Sequence, residues 1–164
     1  MYATRVTQHI AAPRARVYAA LLDPDAVGRW RVPDGMSSVV HQFEPREGGA
    51  FRVSLTYDAP DAQGKSEART DTYHGRFVTL VPDERVVERF EFETADPALA
   101  GEMTITTTLA DAGGGTDVTM EHEGLPDAIP AADNETGTRM ALDNLARLLT
   151  SHGIGDFPQG PRAG

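Results

Sequence analysis

The sequence predicts an α+β fold in which a curved antiparallel sheet of six to seven strands wraps around one long C-terminal helix, with two short helices following the first strand. Three observations point there. Between Ser38 and Gly124, apolar and polar residues alternate in runs separated by turn residues, the mark of half-buried strands. Between Asn134 and His152 the period lengthens to that of an amphipathic helix. Ahead of both, Pro13 and Asp23-Pro24 punctuate two short helical stretches.

Thr4 to Ile10 alternates as a first strand, with Val6 and Ile10 on its buried face. Pro13 suits a first helical position, and Val17, Ala20 and Leu21 form an apolar stripe that ends at Asp23. Asp23 can then cap a second helix that opens on Pro24 and runs towards Trp30. Val39 to Glu44 is the next strand, turned at Pro45 to Gly49. Phe51, Val53, Leu55 and Tyr57 alternate with Arg52, Ser54 and Thr56, the cleanest half-buried pattern in the chain. After a loop from Asp58 to Lys65 come strands at Arg69 to Val81, Arg85 to Glu93, Met103 to Leu109 and Asp117 to Glu123. In the final helix Ala141, Leu142, Leu145, Leu148 and Leu149 share one face, with Asn134 or Thr136 as cap and Gly153 as stop. One domain over 1–153 and a flexible tail over 154–164 follow from this. A twisted sheet curves, and the one long amphipathic helix is the element able to cover its concave face.

Composition narrows the chemistry. Cysteine is absent from the 164 residues, which excludes disulfides, thiolate metal ligands, iron–sulfur clusters and a cysteine nucleophile. The net charge of −10 is uneven: residues 1–57 carry +2 and residues 58–164 carry −12. An acidic body repels phosphate backbones, so nucleic acid is not an expected partner. No run is long enough for a membrane span and the first residues lack a signal-peptide core, so a cytoplasmic location is predicted. Lys65 is the only lysine among 15 basic residues, an arginine bias associated with GC-rich bacterial genomes.

Local motifs add little. Ala59 to Ser66 has the loose form of a phosphate loop, but the residues that follow favour a strand and Pro60 lacks an amide, so a hairpin loop is the better reading. Asn134-Glu135-Thr136 reads as a helix start and not as a glycosylation acceptor. Histidines 9, 41, 74, 122 and 152 have no local zinc spacing; only strand pairing of His74 with His122 would join two of them. No metal and no cofactor are expected.

The ordered segments carry a resemblance. Ala12-Pro13-Arg14-Ala15-Arg16-Val17-Tyr18, Asp23-Pro24 with Arg29-Trp30, and Glu47-Gly48-Gly49-Ala50-Phe51-Arg52 come first. Gly75-Arg76-Phe77 with Val81 to Val87, and Gly113 to Thr119 before His122-Glu123-Gly124, complete the set. Together they resemble the activator-of-heat-shock-protein-ATPase homologue-like branch of the START-like (SRPBCC, birch-pollen-allergen-like) superfamily. That resemblance implies a helix-grip fold over roughly residues 4–152, while activity does not follow from the fold. It also implies that Trp30 lies at the mouth of a chamber. Many members have a second tryptophan where this chain has Arg31.

Alternation supplies the chamber walls: Tyr57, Tyr73, Phe77, Phe90, Met103, Met120 and the helix residue Met140 face one side. Aromatic and methionine side chains adapt to apolar guests, and such pockets need only a few polar groups. Glu88 and His122 are the polar residues in phase with that face. A buried carboxylate needs a partner, for which Arg76 or Arg89 is available. The predicted function is binding of a small apolar or aromatic ligand, lipid-like or polyketide-like. One alternative is a cyclase, dehydratase or hydrolase using Glu88, His122 or Tyr57 in the same chamber. The other, by family analogy, is a co-chaperone-like regulator of a heat-shock ATPase, with Arg14, Arg16, Arg29 and Arg31 available to an acidic partner. A monomer or homodimer is consistent with all three.

Overall fold

The structure, a computed structural model, describes residues 2–33, 35–58 and 70–150. Its elements are β1 (Tyr2–Ile10), α1 (Arg14–Leu21), α2 (Pro24–Trp30), β2 (Met36–Phe43), β3 (Ala50–Tyr57), β4 (Thr70–Val81), β5 (Arg85–Phe92), β6 (Met103–Ala112), β7 (Gly115–Leu125) and α3 (Ala131–Thr150). The phosphate-loop-like segment, Gly153 and the tail lie outside the described residues.

The seven strands form one curved antiparallel sheet in the order β1-β7-β6-β5-β4-β3-β2. Sequence neighbours pair as hairpins except at the end of the order, where β1 joins β7. The β6–β7 link shows why turn chemistry sets register. Gly113 and Gly114 have φ of 52° and 83°, the left-handed pair that a two-residue hairpin requires, so both strands run on further than alternation indicated. Gly75 has a different role. A Cβ there would sit 1.9 Å from the Arg89 carbonyl oxygen and 2.7 Å from the Phe90 Cα, so only glycine lets β4 lie this close to β5.

Helix α2 begins as the sequence indicates: the Asp23 carboxylate accepts the Asp25 amide at 2.9 Å, with Pro24 inside the first turn. Helix α3 does not begin at Asn134 or Thr136. The Pro130 carbonyl accepts the amides of Asp133 and Asn134, which starts the helix at Ala131 and leaves the Asn134 side chain to accept from the Thr4 hydroxyl. Likewise β2 starts at Met36, three residues before Val39.

Helix α3 lies over β1 and against α1 and α2, burying Thr138, Leu142, Leu145 and Leu149. Each leucine contributes about 1.5–3 kcal/mol by leaving water. The inner face of β2 to β5 carries six aromatic rings in unbroken contact. Phe43 meets Phe77 at 5.5 Å, Phe77 meets Phe51 at 5.2 Å, and Phe51 meets Tyr73 at 6.2 Å between centroids. Tyr73 then meets Phe90 at 5.7 Å and Phe90 meets Phe92 at 6.0 Å. Tilted and edge-on pairs like these add about 0.5–1.5 kcal/mol each beyond area burial. No described helix is long and apolar enough to cross a membrane.

Candidate functional site

Strand register assembles the site. Thr4 pairs with His122, His122 with Ile105, Ile105 with Glu88, and Glu88 with Phe77, so five side chains stand in one row across the inner face. All five are buried. Glu88 and His122 flank Ile105, two strand spacings or about 10 Å apart along the sheet.

Arg31 supplies what this row lacks. It follows Trp30 at the end of α2, and its Nη1 donates to Glu88 Oε1 at 2.7 Å, with side-chain exposures of only 15% and 6%. Its guanidinium carbon stands 5.7 Å from the Trp30 ring centroid, within cation–π range. Arg76 and Arg89, the partners the sequence made available, do not take this place. Arg76 faces Glu102 at 3.7 Å and Arg89 is exposed. Arg31 is therefore no surface arginine, and Arg14 is occupied with Asp111 at 3.0 Å.

The electrostatics follow from burial. Desolvation lowers the Arg31 pKa, and the Glu88 carboxylate more than reverses it, so the guanidinium stays charged. Burial raises the Tyr73 phenol above its ordinary value, with Arg31 pulling the other way. Burial, with the Arg31 charge second, pushes His122 down to about 4, so its imidazole is neutral near pH 7. Its Nδ1 is buried with no hydrogen-bond partner among the described residues. An orphaned buried nitrogen costs about 1–3 kcal/mol and calls for a water or a guest.

The other predicted residues divide. Tyr73, Phe77, Phe90, Met103 and Met120 are buried with the row on the inner face. Trp30 is buried too, but its Nε1 donates to the Ala20 carbonyl at 3.1 Å, which fixes it in the core between α1 and α2 and not at an opening. Tyr57 has the inward phase yet is 40% exposed at the end of β3, and Met140 is half-buried on α3. His74 stands on the opposite face from His122, between Glu93 at 3.0 Å and Glu91 at 3.3 Å. Among the described residues no three metal-ligating side chains converge. What sequence reasoning missed is the role of Arg31: it was read as an arginine available to an acidic partner, and it is the buried partner of Glu88.

Among the described residues, clefts of about 510, 760, 310 and 270 Å³ open at the surface, and Glu88, His122 and Trp30 line none of these. The one of about 310 Å³ lies where the aromatic row ends, against Phe92, Leu99 and Ile129. From there Phe92, Phe90 and Tyr73 lead inward in contact.

Solved structures share this architecture. Protein CV1439 from Chromobacterium violaceum is 34% identical with a TM-score of 0.81, over 92% of this chain and 98% of that one. A protein from Rhodobacter sphaeroides is 25% identical with a TM-score of 0.75, over 91% and 92%. DynU16, from the dynemicin biosynthetic locus, is alike in fold: 22% identical, TM-score 0.64, over 91% of this chain and 47% of that one. No curated protein matches the chain. Residues 11–150 match the model of the family described as Activator of Hsp90 ATPase homolog 1-like protein, and the chain belongs to that family.

Proposed function

We propose that this protein binds a small, mainly aromatic or apolar molecule, lipid-like or polyketide-like, between α3 and the sheet. The observation that carries the reading is the Nδ1 of His122, without a hydrogen-bond partner among the described residues and in the same inward row as Glu88 and its partner Arg31, within an interior that also holds rings and methionines. A guest with one hydroxyl or carbonyl satisfies that nitrogen or the remaining Arg31 donors, while its ring body stacks against Tyr73 and Phe90. A hydroxyl serves either imidazole tautomer, because it both donates and accepts. Entry is by the cleft at Phe92, Leu99 and Ile129.

Catalysis in the same place has weaker support. A histidine held at about 4 is a poor general base near neutrality, where proton transfer favours a pKa close to the working pH. Native mass spectrometry of freshly purified protein tests the binding reading, together with melting shifts across lipids, phenols, aromatic polyketides and their methyl ethers. A bound adduct, or a shift that favours phenols over their ethers and is lost in His122→Phe, is the expected result. No adduct and no shift for any compound sinks it.

A further inference from the structure

The sheet ends on β2, and no strand lies beyond it among the described residues. Alternate residues of an edge strand turn their N–H and C=O groups away from the sheet, an open template that proteins usually blunt with charges or proline. Met36–Phe43 contains no charged residue and no proline; its one disruption is a register shift between Val40 and Gln42. Val39, midway along, is 56% exposed.

Helix α2 stands beside this edge and makes it a groove. The Ser38 hydroxyl donates to the Gly28 carbonyl at 2.9 Å, and a Cβ on Gly28 would touch Ser38 at 3.4 Å and Val40 at 3.7 Å, so the helix is seated directly on the strand. The clefts of about 510 and 760 Å³ share Gly28, Arg29 and Ser38, and together they follow β2 from Met36 to Phe43.

The groove is polarised. Arg29 belongs to both clefts, and Arg147 of α3 lines the one beside Met36, hydrogen-bonded only to Asn144 among the described residues. Asp25 lies in the cleft beside Phe43. An extended chain laid antiparallel to β2 brings its C-terminal end to Met36, towards the two arginines, and antiparallel pairing is the slightly stronger ladder.

We propose that this groove takes an extended peptide segment of a partner protein as an eighth strand, antiparallel to β2, with an acidic side chain or free carboxyl terminus beside Arg29 and Arg147. Main-chain bonds supply the affinity of such an addition and side-chain pockets its selectivity. A second copy of the chain is a poorer occupant, because two bodies of net charge −10 repel. The proposal is independent of any ligand under α3.

The probe is a fluorescent synthetic hexapeptide of alternating valine and threonine that ends in glutamate with a free carboxyl group, followed by anisotropy against the intact protein. Saturable binding is expected, weakened about tenfold by Arg29→Glu or Arg147→Glu. Methylating alternate peptide amides should abolish it, and amide exchange should slow across Met36–Phe43 in the complex. Absence of saturable binding into the millimolar range overturns the proposal. So does binding indifferent to amide methylation, or sedimentation showing a dimer whose β2 amides are already protected without peptide.

Discussion

Replacing Glu88 by leucine leaves the Arg31 guanidinium in a site where both side chains of the pair are less than one-sixth exposed. Breaking a buried pair from one side costs about 3–5 kcal/mol, because the remaining charge loses its compensation. For a chain of this length a loss of 1 kcal/mol lowers the melting temperature by about 2–4 °C, so the single variant should melt about 6–20 °C lower. Arg31→Leu should lose a similar amount, plus the contact with the Trp30 ring, worth about 0.5–2 kcal/mol. The double variant should recover most of the loss, because exchanging a whole buried pair for apolar residues is often neutral or stabilising. Urea unfolding of all four proteins, with unchanged m-values, gives the coupling energy directly. The reasoning fails if each single change costs under about 1 kcal/mol, the worth of a solvated pair, or if the double variant loses the sum of the two.

His122 makes stability depend on acidity. Its folded pKa of about 4 lies below its unfolded value near 6.5, so the unfolded chain takes up the proton first. Stability is complete above about pH 6.5 and falls as the pH drops towards 4, by about 3 kcal/mol; unfolding curves of His122→Phe should be flatter over that window. Gly75→Ala should disrupt the β4–β5 ladder by more than the roughly 1–3 kcal/mol of ordinary overpacking, since the clashing atoms are backbone; a melting temperature near wild type would contradict this. Asn144 donates to the carbonyls of Val32 at 3.0 Å and Trp30 at 3.4 Å, tying the end of α2 to α3. Asn144→Leu should cost about 1–3 kcal/mol and speed amide exchange just after Trp30, whereas wild-type exchange would show that the side-chain amide holds nothing there.

Local rules were enough where local atoms decide the outcome. The α2 start was legible because Asp23, Pro24 and Asp25 are adjacent in the chain, and the inner face of β3 to β7 was legible because burial on one side enforces alternation. Alternation says which face a residue joins and nothing about its depth along the strand, which is why Tyr57 shares the phase of Val53 but is exposed. The partner of Glu88 was hidden for another reason. Arg31 lies 57 positions earlier and reaches the carboxylate only because α2 is packed against α3 and β2, a tertiary event that no short window records. The placement of Glu88 and His122 on either side of Ile105 depends on two hairpin registers, each set by its turn. At α3 two start signals competed, and the Pro130 carbonyl prevailed over the Asn134 side chain, which was claimed by Thr4.

The ladder between β1 and β7 ties the first strand to one that begins at Gly115. During synthesis β1 emerges long before its mate, and until β7 leaves the ribosome it has no sheet to join. Five strands can close as successive hairpins in the meantime, but the last stretch of assembly must bring distant parts of the chain together, which places this domain among the slower folders of its size. Deleting the opening ten residues would strip one flank from β7 and leave α3 without the strand it covers, so the expected casualty is the whole cooperative unit and not a frayed end.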